Sequence, residues 1–177
     1  MPAFIALLRG VNVGKAKRVP MADLRRLLQT LGYSDVVTLL NSGNAVFRVA
    51  RGTPGRLATD IAAALLRTLK IEVPVIVKSA RELRAIVDAC PIDTPEAEHS
   101  RLLVAFVQQP KMLESLRSVA PLARPPERFC VGDQAAYLHC ANGILESEAA
   151  GALLGKTGGP VTTRNWATVM KLKASAC

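Results

Sequence analysis

Two hydrophobic rhythms alternate along this chain, short apolar runs of strand length and longer stretches with an apolar residue every third or fourth position. Phe4–Leu8 is a continuous apolar run fit for a central strand. Pro20 suits a first helical turn, and Met21, Leu24, Leu27, Leu28 and Leu31 make one helical face that ends at Gly32. Val36–Leu40 reads as a second strand. The turn residues Asn41-Ser42-Gly43-Asn44 lead into a third, on which Ala45, Phe47 and Val49 alternate. Leu57, Ile61, Leu65 and Leu69 mark a second helix, and Val73–Val77 a fourth strand. The order is βαββαβ.

The second half repeats that order after an intervening helix. Ser79-Ala80-Arg81-Glu82 has the spacing of a capping box, with Leu83, Ile86, Val87 and Cys90 behind it. Pro91–Ser100, rich in proline and acid, reads as a loop between lobes. A strand (Leu102–Val107), a helix (Met112–Val119) and a hairpin (Phe129–Val131 and Ala135–Cys140, turning at Gly132-Asp133) follow. Then come a helix near Leu145–Leu154, a short extended piece at Pro160-Val161-Thr162, and a last helix carrying Trp166, Val169 and Met170. The expected class is α+β, two split-βαβ (ferredoxin-like) lobes in tandem with a linking helix and a C-terminal helix. The expected divisions are residues 1–79, a link at 80–100, and 101–177.

Charge adds a direction to this picture. The 177 residues hold 23 Lys and Arg against 14 Asp and Glu, a net of +9. Residues 1–79 carry 12 basic and 4 acidic residues, a net of +8, whereas residues 80–177 carry 11 and 10. A basic first half points to a phosphorylated or polyanionic partner. The four cysteines form no CxxC pair and no cluster with His99 or His139, so neither a metal nor a cofactor is called for. Arg9 breaks the first apolar run too early for a signal peptide, and no run reaches the length of a membrane span, so a cytoplasmic protein is expected.

Two segments are candidates for binding that partner. Arg9-Gly10-Val11-Asn12-Val13-Gly14-Lys15-Ala16-Lys17-Arg18 leads into the first helix, and Thr162-Thr163-Arg164-Asn165-Trp166 opens the last one, with Thr162 or Thr163 as its cap. A helix N-terminus carries about +0.5 of a charge, so a cation there costs about 0.3–1 kcal/mol, and a bound anion would relieve the conflict. One anion shared across the lobe boundary would relieve both. On this reasoning Arg164→Ala leaves folding intact, while Trp166 belongs to the core. The first segment resembles a phosphate loop without being one, having three residues between its glycines and Ala16 where Ser or Thr is needed. Arg9, Asn12, Gly14, Lys15, Lys17 and Arg18 are its candidate ligand-binding residues, and Thr163, Arg164 and Asn165 those of the last segment. Ser42 and Asn44 are either plain hairpin-turn residues or part of the same site. The turn between the second and third strands and the loop after the first strand are expected at opposite ends of the sheet, which argues for the former. His139 alternates with Tyr137 and Ala135 on one strand face, as a satisfied, half-buried histidine does. No nucleophile and base can be paired.

Read together, Arg9–Gly14, Pro20-Met21-Ala22-Asp23-Leu24, Ser42-Gly43-Asn44 with Phe47, Val73–Val77, Tyr137-Leu138-His139 and Thr163–Trp166 resemble the bacterial domain-of-unknown-function family 1697. The resemblance implies two ferredoxin-like lobes and assigns no activity. The chain departs from the family pattern at Lys15, Lys17, Leu39 and Ala167, and it has Ser147-Glu148-Ala149 where Ser-Lys-Leu is common.

The leading expectation is a protein that binds a phosphate-containing ligand, either nucleic acid or a nucleotide-like metabolite. With only seven aromatic residues, and Phe47 on an apolar strand face, electrostatic tracking of a backbone fits better than base stacking. Two other readings stand beside it. One is an enzyme on a small phosphorylated substrate, with Arg9, Lys15 and Arg164 as clamps and Asn12, Ser42 or Asn165 orienting. The other is a basic module that docks an acidic protein.

Overall fold

The computed structural model of the chain describes residues 1–14, 17–155 and 161–177. Its class is mixed α+β, with two four-stranded antiparallel sheets and several helices. The chain divides into two compact units, Met1–Leu83 with Lys171–Cys177, and Arg84–Met170. The last seven residues, which the sequence pattern places with the second half, thus cluster with the first unit.

The first unit runs β1 (Ala3–Leu8), α1 (Met21–Thr30), β2 (Ser34–Leu39), β3 (Asn44–Arg48), α2 (Pro54–Leu69) and β4 (Val75–Ser79), with strands in the order β2-β3-β1-β4. Every residue of β1 is buried, as its unbroken apolar run requires of a central strand. Phe4, Ala6 and Leu8 join Ala45, Phe47 and Val77 in a core with Leu24, Leu27 and Leu28 of α1 and Leu57, Ile61 and Leu65 of α2. Phe47 stacks on Tyr33 at 4.6 Å and on Phe4 at 6.0 Å, so these rings fill the core and offer no platform to a base. Pro20 stands one residue ahead of α1 in extended conformation, not in its first turn. At the start of α2, the Thr53 hydroxyl accepts from the Arg56 N–H.

The capping box forms as the sequence predicts. Ser79 N–H donates to Glu82 Oε2 at 2.7 Å, and Glu82 N–H donates to Ser79 Oγ at 3.1 Å, opening α3 (Ala80–Asp88).

In the second unit β5 (Leu102–Val107), β6 (Arg128–Val131), β7 (Ala135–His139) and β8 (Val161–Asn165) take the order β6-β7-β5-β8. The expected helix at Met112–Val119 is instead a 3₁₀ run, Pro110–Leu122. Its buried residues, Leu113, Leu116 and Val119, recur every third position, which matches three residues per turn, and Pro121 has no N–H for a helical ladder. The helix expected near Leu145–Leu154 is α4 (Glu148–Leu154), capped by the Ser147 hydroxyl, which accepts from Ala150 N–H at 3.1 Å. The largest correction concerns the last segment. The extended piece at Val161 continues through Asn165 as β8, and α5 (Trp166–Ala176) starts only after it. Pairing with β5, Arg164 opposite Val104 and Asn165 opposite Leu103, overrides the helix start read at Thr163. Among the described residues no helix is long and apolar enough to cross a membrane.

Candidate functional site

The segment between β1 and α1 is built around one asparagine. Asn12 sits at φ 56°, between Gly10 at φ 68° and Gly14 at φ 54°, so the loop turns through left-handed conformations at alternate residues. Its side chain amide donates to the carbonyls of Val19 at 2.8 Å and Asn41 at 2.7 Å, and its Oδ1 accepts from Val19 N–H at 2.9 Å. Its backbone N–H donates to Lys17 O at 2.8 Å, beside a parallel bridge between Val11 and Lys17. Asn12 therefore ties both ends of the loop and a neighbouring turn together. With its amide so engaged, Asn12 shapes the site rather than reaching for a ligand.

That neighbouring turn is the β2–β3 connection, and its position corrects the sequence reading. β1 and β3 are antiparallel with Leu7 opposite Asn44, so the C-terminal end of β1 lies beside the start of β3. The β1–α1 loop and the Ser42-Gly43-Asn44 turn are thus neighbours, not at opposite ends. Leu8 N–H donates to Gly43 O at 2.8 Å. A Cβ on Gly43 would lie 2.7 Å from Leu8 Cβ and 2.8 Å from Val11 Cγ2, so only glycine permits the approach. Asn44 is fully buried and donates to Leu39 O at 2.9 Å and Ser42 Oγ at 2.8 Å, which locks the turn. The two segments form one structural corner in which Ser42 and Asn44 supply the scaffold.

The cations stand on this corner. Arg9 is half-buried, and its N–H donates to Pro74 O at 3.0 Å. Lys17 and Arg18 are exposed; Lys17 Nζ donates to Glu72 O, and Arg18 donates to Gly14 O at 2.9 Å. Among the described residues neither Lys17 nor Arg18 is paired with a carboxylate, while Arg26, Arg48 and Arg56 of the same unit have Asp23, Asp35 and Asp60. Lys15 lies outside the described residues. The dipole conflict expected at α1 does not arise, because the loop cations stop short of the helix and Asp23 occupies its first turn. The carbonyls of Asn41 and Glu72, which orient this corner, went unseen in the sequence; the antiparallel pairing of β1 is the signal that leads to the first.

Arg164 has a different setting from the one expected. It lies within β8, only 7% exposed, and donates to Thr162 Oγ1 and Thr163 O, each at 2.8 Å. Burial pulls its guanidinium down to about 10, so it remains charged at neutral pH. Thr163 serves it through a backbone carbonyl. Asn165 caps α5, its Oδ1 accepting from Thr168 N–H at 2.9 Å, and Trp166 is half-exposed rather than wholly core. The helix-start argument for an anion at Arg164 does not hold.

Elsewhere in the second unit, His139 Nε2 lies 3.2 Å from Glu98 Oε2, with Arg101 also on that carboxylate at 3.7 Å. His139 is thus the satisfied, mostly buried histidine that the strand pattern predicts. The Tyr137 hydroxyl donates to Ile86 O at 2.5 Å, and burial raises its pKa. All four cysteines are free thiols, and no metal-holding cluster occurs among the described residues.

Charge separates the units more sharply than it separates the halves of the sequence. The first unit holds 15 basic and 5 acidic residues, a net of +10, and the second holds 8 and 9, a net of −1. The net charge of the chain belongs to the unit that bears the loop.

Comparison with known proteins gives the fold and the family. No curated protein matches the chain. A conserved bacterial protein, SP0830 from Streptococcus pneumoniae, has a similar structure, with a TM-score of 0.74 and 20% sequence identity over 99% of each chain. A likeness at that identity speaks for the fold alone. The family model for the protein of unknown function DUF1697 matches residues 1–137, which include the whole β1–α1 loop and the Ser42-Gly43-Asn44 turn but not Thr163–Trp166. The chain therefore belongs to the DUF1697 family.

Proposed function

We propose that this is a cytoplasmic protein that binds a phosphate-containing ligand, nucleic acid or a nucleotide-like metabolite, at the β1–α1 corner of its first unit. One observation carries the reading: Lys17 and Arg18 are exposed, steadied by backbone carbonyls and paired with no carboxylate among the described residues, on a unit with a net charge of +10. Cations held on backbone oxygens keep their charge for a ligand, and a strongly positive unit raises the local concentration of anions. Arg9 and, from the sequence, Lys15 add to the same loop, with Gly14 as its hinge. Asn12, Ser42 and Asn44 preorganise it. Each unit is read as a split-βαβ, ferredoxin-like lobe on the support of its β-α-β-β-α-β order and the strand order 2-3-1-4. Buried Phe4 and Phe47 favour contact with phosphates over stacking of bases.

The test is fluorescence anisotropy with duplex DNA, single-stranded DNA and RNA across a salt series, alongside calorimetry with ATP and inorganic phosphate. Neutralising four phosphates on duplex DNA gives a slope of log K against log salt of about −3.6, and Lys17→Gln with Arg18→Gln makes it shallower by about 1.8. ATP binding without nucleic-acid binding narrows the ligand to a nucleotide. No binding of any of these at low salt removes the proposal.

A further inference from the structure

Away from the loop, on the helical side of the first unit, two adjoining hollows share Leu31 and Arg67. The first, of about 140 Å³, is lined by Leu27, Leu31, Ala64 and Leu69 together with polar residues that include Asp23, Arg26 and Arg67. The second, of about 360 Å³, continues past Tyr33, Val49 and Leu57 to Arg51. The charged residues of this groove are not equivalent. Asp23 lies 3.8 Å from Arg26, and Asp60 is held by Arg56 at 3.1 Å, so both carboxylates have their own arginines. Arg51 and Arg67 are exposed, and among the described residues no carboxylate is paired with either. The result is a mostly apolar first hollow that opens into a more polar second one, the latter lined by both Arg67 and Arg51.

An apolar floor with a few fixed polar groups is the usual form of a small-molecule site. A purely apolar guest leaves the guanidinium groups unused. We propose that this groove binds an acyl carboxylate, its chain along Leu27, Leu31, Ala64 and Leu69 and its head group between Arg67 and Arg51. The planar guanidinium fork matches a carboxylate in two hydrogen bonds, which supplies orientation as well as charge. The site is separate from the loop, since none of its lining residues lies between Arg9 and Arg18.

The experiment is a titration of the ¹⁵N-labelled full chain with octanoate, and with acetate and octanol as partial ligands. Octanoate is expected to shift the amides of Leu31, Ala64 and Thr68, and to bind more tightly than either partial ligand. Arg67→Gln and Arg51→Gln, both on exposed side chains, should each weaken octanoate about fivefold, the scale of an exposed ion pair. Lys17→Gln with Arg18→Gln should leave octanoate binding as it is. The proposal is overturned if octanol binds as tightly as octanoate, or if both arginine variants bind like the parent. It is equally overturned if the shifts fall on the β1–α1 loop and vanish with the Lys17 and Arg18 substitutions.

Discussion

The Lys17-Arg18 loop and the Thr163-Arg164 strand look alike as text: each is basic, polar, and placed just ahead of a helical pattern. In the folded chain they have opposite characters. Lys17 and Arg18 are exposed and lean on single carbonyls, whereas Arg164 is 7% exposed and held by the Thr162 hydroxyl and the Thr163 carbonyl on β8. The difference lies in what the backbone is doing. The loop has left-handed turns at Gly10, Asn12 and Gly14 and, among the described residues, one bridge in place of a ladder, so that Val11 and Asn12 turn inward while Lys17 and Arg18 stay exposed. The strand is committed to pairing with Val104 of β5, and alternation along β8 fixes which face Arg164 takes. In the first setting the cation faces solvent, and in the second it is part of the packing.

This contrast can be broken most forcefully at Asn12. Asn12→Ala removes three side-chain hydrogen bonds, one of them satisfying the N–H of fully buried Val19, and places alanine at φ 56°. We expect a loss of about 3–4 kcal/mol, read by denaturant melts. A loss under about 1 kcal/mol would mean that the loop is not preorganised, and the distinction between a shaped corner and a solvated one would lapse.

Arg164 comes next in size, and its expected sign is reversed from the one the sequence suggests. Arg164→Ala empties the space of a buried stem and leaves Thr162 Oγ1 without this donor, for a loss of about 2–3 kcal/mol. Arg164→Met keeps most of the volume and removes a buried charge, so it should stay within about 1 kcal/mol of the parent. The pH dependence has a definite sign. Burial depresses the folded guanidinium to about 10, so above that pH the unfolded chain binds more protons than the folded one at this site. Its contribution is therefore unfavourable and constant below pH 10 and is relieved as pH rises further; Arg164→Met removes that rise from the stability profile. Were Arg164→Ala to melt with the parent, Arg164 would join Lys17 and Arg18 as a cation free of structural duty.

How far these settings were legible follows from the range of the forces involved. The Phe4–Leu8 and Leu102–Val107 strands and the Ser79/Glu82 capping box depend on residues close in sequence, and each stands where the pattern put it. The 3₁₀ run was misread because Leu113, Leu116 and Val119 fit a helical face as well as an exact period of three; Pro121 was the clue that separated them. β8 was cut short because Thr162–Asn165 is polar, and what makes it a strand is its partner β5, some sixty positions earlier. The β1–α1 loop and the β2–β3 turn were set apart for want of one inference, that antiparallel pairing of β1 with β3 brings their adjoining ends together. At the candidate site the residue types were legible but their structural partners were not: Asn12 spends its amide on the carbonyls of Val19 and Asn41, and Asn44 on Leu39 O and Ser42 Oγ.

A smaller effect is expected at the boundary between β8 and α5. Asn165 Oδ1 accepts from the Thr168 N–H, so Asn165→Ala should cost about 1 kcal/mol, and Asn165→Asp should recover most of it. Rescue by Asp identifies a cap; an equal loss in both variants would point instead to a need for the carboxamide N–H.

The smallest stability change belongs to the pair with the largest proposed role. Among the described residues the side chains of Lys17 and Arg18 bond only to Glu72 O and Gly14 O, both at the surface, and the Asn12 side chain holds the loop without them. Lys17→Gln with Arg18→Gln should therefore move stability by no more than about 0.5 kcal/mol. Removing two like charges from a unit of net +10 relieves some self-repulsion, which offsets the lost contacts. The same variant should lose affinity for phosphate-containing ligands, most at low salt, where screening is weakest. Measured side by side, an unchanged melt with weakened binding would separate these cations from Arg164, whose removal acts on the fold. A melt lowered by more than about 1 kcal/mol would show that Lys17 and Arg18 are braces of the corner, and the two basic segments would then differ only in depth.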